Sequence, residues 1–145
     1  MTSQPKSEER KAPFEETIAI EQVTHSSVLS YFSTFNAGDF DATAELFAED
    51  GALRPPFEDP IVGNEAIAAY LHKEATGMQI YPRKGETLPH DLPDDDLEIQ
   101  VKGYVQTPIF GVNVGWLFVI TPQSTLRSVR IKLLASPQEL LKLRQ

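Results

Sequence analysis

The chain has 145 residues, of which 13 are basic and 21 acidic, and it has no cysteine. This length fits one domain, predicted over residues 16–145 after a polar tail at 1–15, and the missing thiols exclude disulfides, thiol catalysis and thiolate metal sites. The net charge of −8 argues against nucleic-acid binding, and without an apolar span or signal segment we expect a cytoplasmic protein.

The first half of the predicted domain has the apolar spacing of helices. The motif THSS offers N-cap side chains before an apolar run at helical spacing, and Gly38 can end this helix in a left-handed cap. Asp39 is a suitable N-cap for a second, short helix, and the two prolines of DGALRPPF forbid a helix after it. A third helix is predicted over NEAIAAYLHKEAT, with Gly77 closing it.

The second half changes to a period of two, which indicates strands. Residues 97–106 and 126–133 alternate between apolar and polar side chains. The strand between them, at 112–120, is apolar on both faces, so we expect it to be covered on both sides, by helices and by a partner subunit. RKGETLPHDLPDDD is predicted as a loop, and helices followed by strands predict an α+β fold whose mostly antiparallel sheet curls around the helices.

A search for catalytic and metal-binding patterns finds none. The histidines His25, His72 and His90 are far apart in sequence and form no metal-ligand spacing. No phosphate-binding loop or nucleophile elbow occurs. The acidic residues clustered at 39–50 suit the N-terminus of a helix better than an acid–base pair. We therefore expect no catalytic residue, no metal and no enzymatic activity.

Two polar aromatic residues are the remaining candidates for a site. Tyr31 lies on the apolar side of the first helix, and Trp116, the only tryptophan, lies on the inward row of the most apolar strand. Each carries one polar hydrogen that needs a partner when buried. That partner could be the other side chain, a backbone carbonyl, water or a ligand oxygen.

Several strings of the sequence together carry a family resemblance. DGALRPPFEDPIVG, VQTP and LLASPQELL resemble the C-terminal domain of the orange carotenoid proteins of cyanobacteria, and the resemblance extends over about residues 17–145. The shorter string LFAEDG is common to many nuclear-transport-factor-2-like domains. The resemblance implies a stand-alone homologue of that C-terminal domain. It also implies the nuclear-transport-factor-2-like cone, a curved, mostly antiparallel sheet wrapped around N-terminal helices.

The resemblance also implies a function and a site. The implied function is to bind a ketocarotenoid such as canthaxanthin or echinenone as a homodimer, to pass it to helical carotenoid proteins, and to quench singlet oxygen. Transient contact with a membrane for pigment uptake, near thylakoids, is implied as well. Tyr31 and Trp116 match the family's tyrosine and tryptophan that hydrogen-bond the carbonyl of the pigment ring. The tunnel implied by the same carry-over is lined by Phe35, Met78, Ile80, Val105, Phe110, Val112, Val114, Phe118 and Ile131.

The chain also departs from the family pattern. PIFGVNVGW is four residues shorter than the PWFGGNVGMNIAW of relatives, and Ile109 replaces an aromatic residue there. Ala75 stands where many relatives carry a cysteine, so a disulfide-linked dimer is excluded. Two other functions stay open, namely a small enzyme of this fold, such as an isomerase or hydrolase, and a ligand-free dimeric interaction domain.

Overall fold

The computed structural model describes residues 20–88 and 93–134. The predicted tail, His90 and the C-terminal ASPQELLKLRQ lie outside these residues. No helix within the two described ranges is long and apolar enough to cross a membrane. The described elements are α1 (Ser26–Asn36), α2 (Phe40–Glu45), β1 (Phe47–Arg54), β2 (Ile61–Val62), α3 (Asn64–Glu74), β3 (Gln79–Thr87), a 3-10 turn (Pro93–Asp95), β4 (Leu97–Gln106), β5 (Gly111–Ile120) and β6 (Leu126–Leu134).

One curved sheet contains all the described strands, in the order β2-β1-β6-β5-β4-β3. The pair β1–β6 is parallel and the other neighbours are antiparallel, so the sheet is mixed, and it does not close into a barrel. The helices pack against one face, which we call the inner face, and the apolar rows of β4, β5 and β6 point toward them. The predicted α+β class with a mostly antiparallel sheet is therefore confirmed.

The ends of the first two helices follow the predicted local chemistry. The N-cap of α1 is His25, whose Nδ1 accepts the backbone N–H of Ser27 at 3.2 Å, so the imidazole rather than a hydroxyl caps this helix. Gly38 has φ +77°, a conformation that glycine adopts without steric cost, and it ends α1 as predicted. Asp39 caps α2 through Oδ1, which accepts the N–H of Ala42 at 3.2 Å.

The predicted order of helices first and strands afterwards is wrong. Strands β1 and β2 lie between α2 and α3, and β3 includes residues 83–87, which were predicted as part of a loop. In β3 the register shifts between Pro82 and Lys84, so the period of two is interrupted. Proline is tolerated there because β3 is an edge strand of the sheet. A register shift between Phe47 and Ala52 breaks the alternation of β1 in the same way.

The side chain of Asn36 ties the end of α1 to the edge strand β3. Its Nδ2 donates to the carbonyl oxygen of Ile80 at 2.7 Å, and its Oδ1 accepts the N–H of Ile80 at 2.8 Å. The amide thereby satisfies both backbone groups of Ile80, as a neighbouring strand would. These two hydrogen bonds fix the position of β3 relative to α1, and they hold the side chain of Ile80 beneath the helix.

We expect Asn36→Ala to lower the free energy of unfolding by about 1–3 kcal/mol, because two partly buried backbone groups lose their partner. Urea denaturation measures this loss. Ser33→Ala on the same helix is the control, since its hydroxyl makes only a 3.4 Å contact with the carbonyl of Ser30. Equal stability of the two variants would show that the Asn36 pair contributes nothing to the fold.

Candidate functional site

An apolar cavity of about 220 Å³ lies between the helices and the inner face of the sheet. Tyr31 and Trp116, each 1% exposed, mark its inner end, whereas Phe110 and Leu133, which are 58% and 47% exposed, mark its mouth. The cavity brings together all the residues that the sequence predicted for the tunnel except Phe118. These are Tyr31, Phe35, Met78, Ile80, Val105, Phe110, Val112, Val114, Trp116 and Ile131.

The sheet register explains why these separated residues meet. Trp116 of β5 pairs with Ile131 of β6, and Val112 pairs with Val105 of β4. Val105 pairs in turn with Ile80 of β3, so one inner row crosses three strands. Alternate residues of each strand share a face, and the cavity wall is therefore built from these inner rows.

Phe118 is the one predicted tunnel residue that does not line this cavity. It is fully buried, and its ring lies edge-on to Tyr31, with centroids 5.3 Å apart, and 5.7 Å from the ring of Phe32. Phe118 lies on the inner row of β5, two residues beyond Trp116, where α1 covers the sheet. Phe118 therefore packs against the ring of Tyr31 on the side away from the cavity.

The two polar groups at the inner end have no protein partner in the part of the chain that the structure describes. No described hydrogen bond involves the Tyr31 hydroxyl or the Trp116 indole N–H. Two of the partners considered from sequence, each other and a backbone carbonyl, are thus not used within residues 20–88 and 93–134. A buried donor without a partner is costly, so this pair is suited to receive an oxygen atom that enters with a ligand.

The ionisation of Tyr31 favours the same role. Burial, with a smaller contribution from the charge of Tyr70, raises the pKa of Tyr31 well above its usual value. The phenol therefore keeps its proton throughout the physiological pH range. It acts as a neutral hydrogen-bond donor, like the indole of Trp116, which cannot ionise.

Polar side chains at the mouth were missed by the sequence analysis. Tyr70 donates its hydroxyl to Oε2 of Glu58 at 2.9 Å, and burial, this hydrogen bond and the charges of Glu58 and Glu74 raise the pKa of Tyr70. The prolines of the β1–β2 loop were interpreted only as helix breakers, and no spacing signal placed them at a cavity. The lining residues missed from sequence are Leu53, Pro55, Pro56, Tyr70, Leu71, Glu74, Ala75, Thr107 and Leu133.

The lining of the cavity favours an apolar ligand. Its walls are almost wholly apolar, and among the described lining residues Glu74, exposed at the mouth, is the carboxylate. No group of three or more potential metal ligands occurs within the described residues. The arrangement can bind an elongated apolar molecule and hold a carbonyl oxygen at the inner end.

We expect Tyr31→Phe to raise the free energy of unfolding of the ligand-free protein by about 1 kcal/mol, because it removes a buried donor that has no described partner. Urea denaturation measures this gain. Tyr70→Phe is the matched control, since it removes a hydroxyl that does have a partner, Glu58, and should slightly lower stability. A loss of more than about 1 kcal/mol in Tyr31→Phe would mean that its hydroxyl is hydrogen-bonded in the folded protein.

Known proteins with similar sequences and structures identify relatives of this chain. The model of the SnoaL-like domain matches residues 28–81. The orange carotenoid-binding protein of Synechocystis sp. is 45% identical over 128 residues, which are 86% of this chain and 40% of that protein. The structure of the Anabaena (Nostoc) sp. orange carotenoid protein binding canthaxanthin is 43% identical, with a TM-score of 0.78 over 86% of this chain and 40% of that one.

More distant structures share the fold alone. The epoxide hydrolase/cyclase-like enzyme of pyran ring formation in polyether salinomycin is 22% identical, with a TM-score of 0.57 over 78% of this chain and 90% of that one. The chain thus spans 40% of the length of its carotenoid-protein relatives but nearly the full length of this small enzyme. The chain has the nuclear-transport-factor-2-like fold, contains a SnoaL-like match at residues 28–81, and is homologous to the C-terminal domain of the orange carotenoid-binding proteins.

Proposed function

We propose that this protein binds a ketocarotenoid, with one terminal ring in the cavity and its carbonyl oxygen between Tyr31 and Trp116. The observation that carries the proposal is the pair of buried donors without described partners at the inner end of an apolar cavity. Homology to orange carotenoid-binding proteins, one of which has been solved binding canthaxanthin, supports the same ligand class. In this function the protein carries pigment and does not catalyse a reaction.

The expected energetics favour a ligand that is mostly apolar. A carbonyl oxygen has two lone pairs, so it accepts from both the phenol and the indole, and each bond contributes about 0.5–1.5 kcal/mol net. Burial of apolar surface contributes about 25 cal/mol per Å² and therefore supplies most of the affinity. The two donors fix the ring orientation, and by withdrawing electron density they shift the absorption of the pigment to the red.

The size of the cavity limits how much of the pigment one chain can enclose. A cavity of about 150 Å³ accommodates benzene, so about 220 Å³ holds one substituted ring and little more. The polyene must then leave through the mouth past Phe110 and Leu133. Most of the pigment would be in water unless another apolar surface covers it.

Exposed apolar residues around the mouth supply such a surface. Phe57 in the β1–β2 loop and Ile109 beside Phe110 are 93% and 87% exposed. A second copy of the chain, related by a two-fold axis, would cover this rim and the far end of the pigment. We therefore propose a homodimer that encloses the pigment, opens to deliver it to helical carotenoid proteins, and quenches singlet oxygen while loaded.

We expect the protein to be coloured when it is produced in cells that make canthaxanthin. Its absorption should move to the blue in Tyr31→Phe with Trp116→Phe, because the carbonyl loses both donors. Tyr104→Phe, a tyrosine on the opposite face of the sheet, is the control and should leave the spectrum unchanged. An unaltered spectrum in the double variant, with pigment still bound, would contradict the assigned donors.

We expect the loaded protein to sediment at the mass of two chains. Phe57→Glu with Ile109→Glu should shift it toward one chain, because charges replace apolar side chains at the rim of the mouth. Val62→Glu changes another exposed apolar residue, which is 58% exposed on β2 and does not line the cavity, and serves as the control. A dimer that persists equally in both variants would show that the interface lies elsewhere.

A further inference from the structure

The face of the sheet opposite the helices, which we call the outer face, carries a positive charge that contrasts with the rest of the chain. Six cationic side chains of the described residues lie on it, whereas the whole chain has a net charge of −8. One of the six is Arg83, whose guanidinium lies over the ring of Tyr104 at 5.9 Å. Three acidic side chains share this face, namely Glu86, Glu98 and Glu21, the bridge partner of Lys84. The other five cationic residues occupy paired strand positions, and we call them the basic strip: Arg54, Lys84, Lys102, Arg130 and Lys132.

The strip places like charges directly opposite each other across neighbouring strands. Lys84 of β3 pairs with Lys102 of β4, and Arg54 of β1 pairs with Arg130 of β6. Like charges in directly opposed positions destabilise a sheet. None of the five is in an ion pair with another described residue, since the described ion pairs are Arg127–Asp96 and His72–Asp41.

A shallow apolar slot of about 40 Å³ lies in the middle of the strip. Its floor is Gly115 on β5, which pairs with Lys102 on one side and Lys132 on the other. Leu117 and Leu134, both half-buried, form its walls. A Cβ atom at Gly115 would lie 3.6 Å from Leu134, an ordinary contact distance, so packing does not require glycine here. The missing side chain is what leaves the slot open.

We propose that the outer face is a docking surface for an acidic segment of another protein, with one aliphatic side chain of that segment in the slot. Carboxylates flanking the anchor would neutralise the paired cations and relieve their repulsion. Destabilising local features, such as these pairs of like charges, are expected at functional sites. A slot of this volume, slightly more than one water's share of the liquid, fits the tip of an aliphatic side chain.

The shape of the face favours a polypeptide over a lipid surface or a second copy of this chain. Interfacial membrane binding needs a continuous set of apolar side chains that project into the bilayer. Leu117 and Leu134 lie at the level of the slot, and the exposed apolar side chains of this face, Val62 on β2 and Tyr81 on β3, stand apart at opposite edges of the sheet. Contact between the basic strip and an acidic surface of another copy would have to overcome the repulsion between two chains that each carry a net charge of −8. We therefore expect a partner other than a second copy of this chain. It would contact the outer face of β5, the strand whose inner face carries Trp116.

Fluorescence anisotropy with a labelled peptide of glutamates around one central leucine tests the proposal on the full chain. We expect salt-sensitive binding that Lys132→Glu weakens about tenfold, because a charge at the rim of the slot is reversed. Lys73→Glu makes the same charge change on α3, away from the outer face, and should alter binding by less than about twofold. Equal weakening by both variants would mean that only net charge matters and would overturn the proposal.

Gly115→Val tests the slot separately from the charges. Valine fills the slot and has a high strand propensity, so the variant should fold and still bind acidic peptide. It should lose the wild-type preference for a central leucine over a central alanine, and an unchanged preference would overturn the anchor. Binding to phosphatidylglycerol vesicles but not to the peptide would overturn the proposal in favour of a membrane surface. Polymers of the chain that dissociate in Lys132→Glu would overturn it in favour of self-association.

Discussion

The contact between the aromatic residues of α1 and the inner row of β5 is the constraint on which the site depends. Phe32 lies edge-on to Trp116 with ring centroids 4.8 Å apart, and Tyr31 lies edge-on to Phe118 at 5.3 Å. Such edge-to-face pairs contribute about 0.5–1.5 kcal/mol beyond the burial of their surface. These rings are rigid and fully buried, so the helix cannot settle closer to the sheet, and the space beside them stays open as the cavity.

The same packing explains why the donors of Tyr31 and Trp116 have no partner in the described structure. The buried side chains packed around them within the described residues are apolar and offer no acceptor. An unpaired buried donor costs about 1–3 kcal/mol, and two of them are a large fraction of the stability of a small domain. A ligand oxygen that accepts from both donors removes this cost, which makes the proposed complex more stable than the empty protein.

The sequence predicted those parts of the molecule in which local pattern and tertiary structure agree. Helices α1 and α2 have clear caps, β4 and β6 alternate between apolar and polar residues, and β5 is a short run of mostly apolar residues between them, so their positions followed from the sequence pattern. Strands β1 and β3 were missed because register shifts, with Pro82 in one of them, interrupt the period of two. Alternation indicates which face a residue lies on but not how deep it lies, so Trp116 and Phe118 were indistinguishable. The proline loop reaches the cavity mouth only through tertiary packing.

Strand β5 contributes to two surfaces at once because alternate residues point to opposite sides of the sheet. Trp116 faces the cavity, whereas Gly115 and Leu117 face the slot of the basic strip. The two surfaces are separated by one layer of backbone, and Trp116 contributes to the lining of both. Additivity of substitutions is expected only for sites more than about 7–10 Å apart, so changes at the consecutive residues Gly115 and Trp116 should be coupled through the backbone of β5. The effect of a protein docked on the outer face on the pigment site would pass through this same strand.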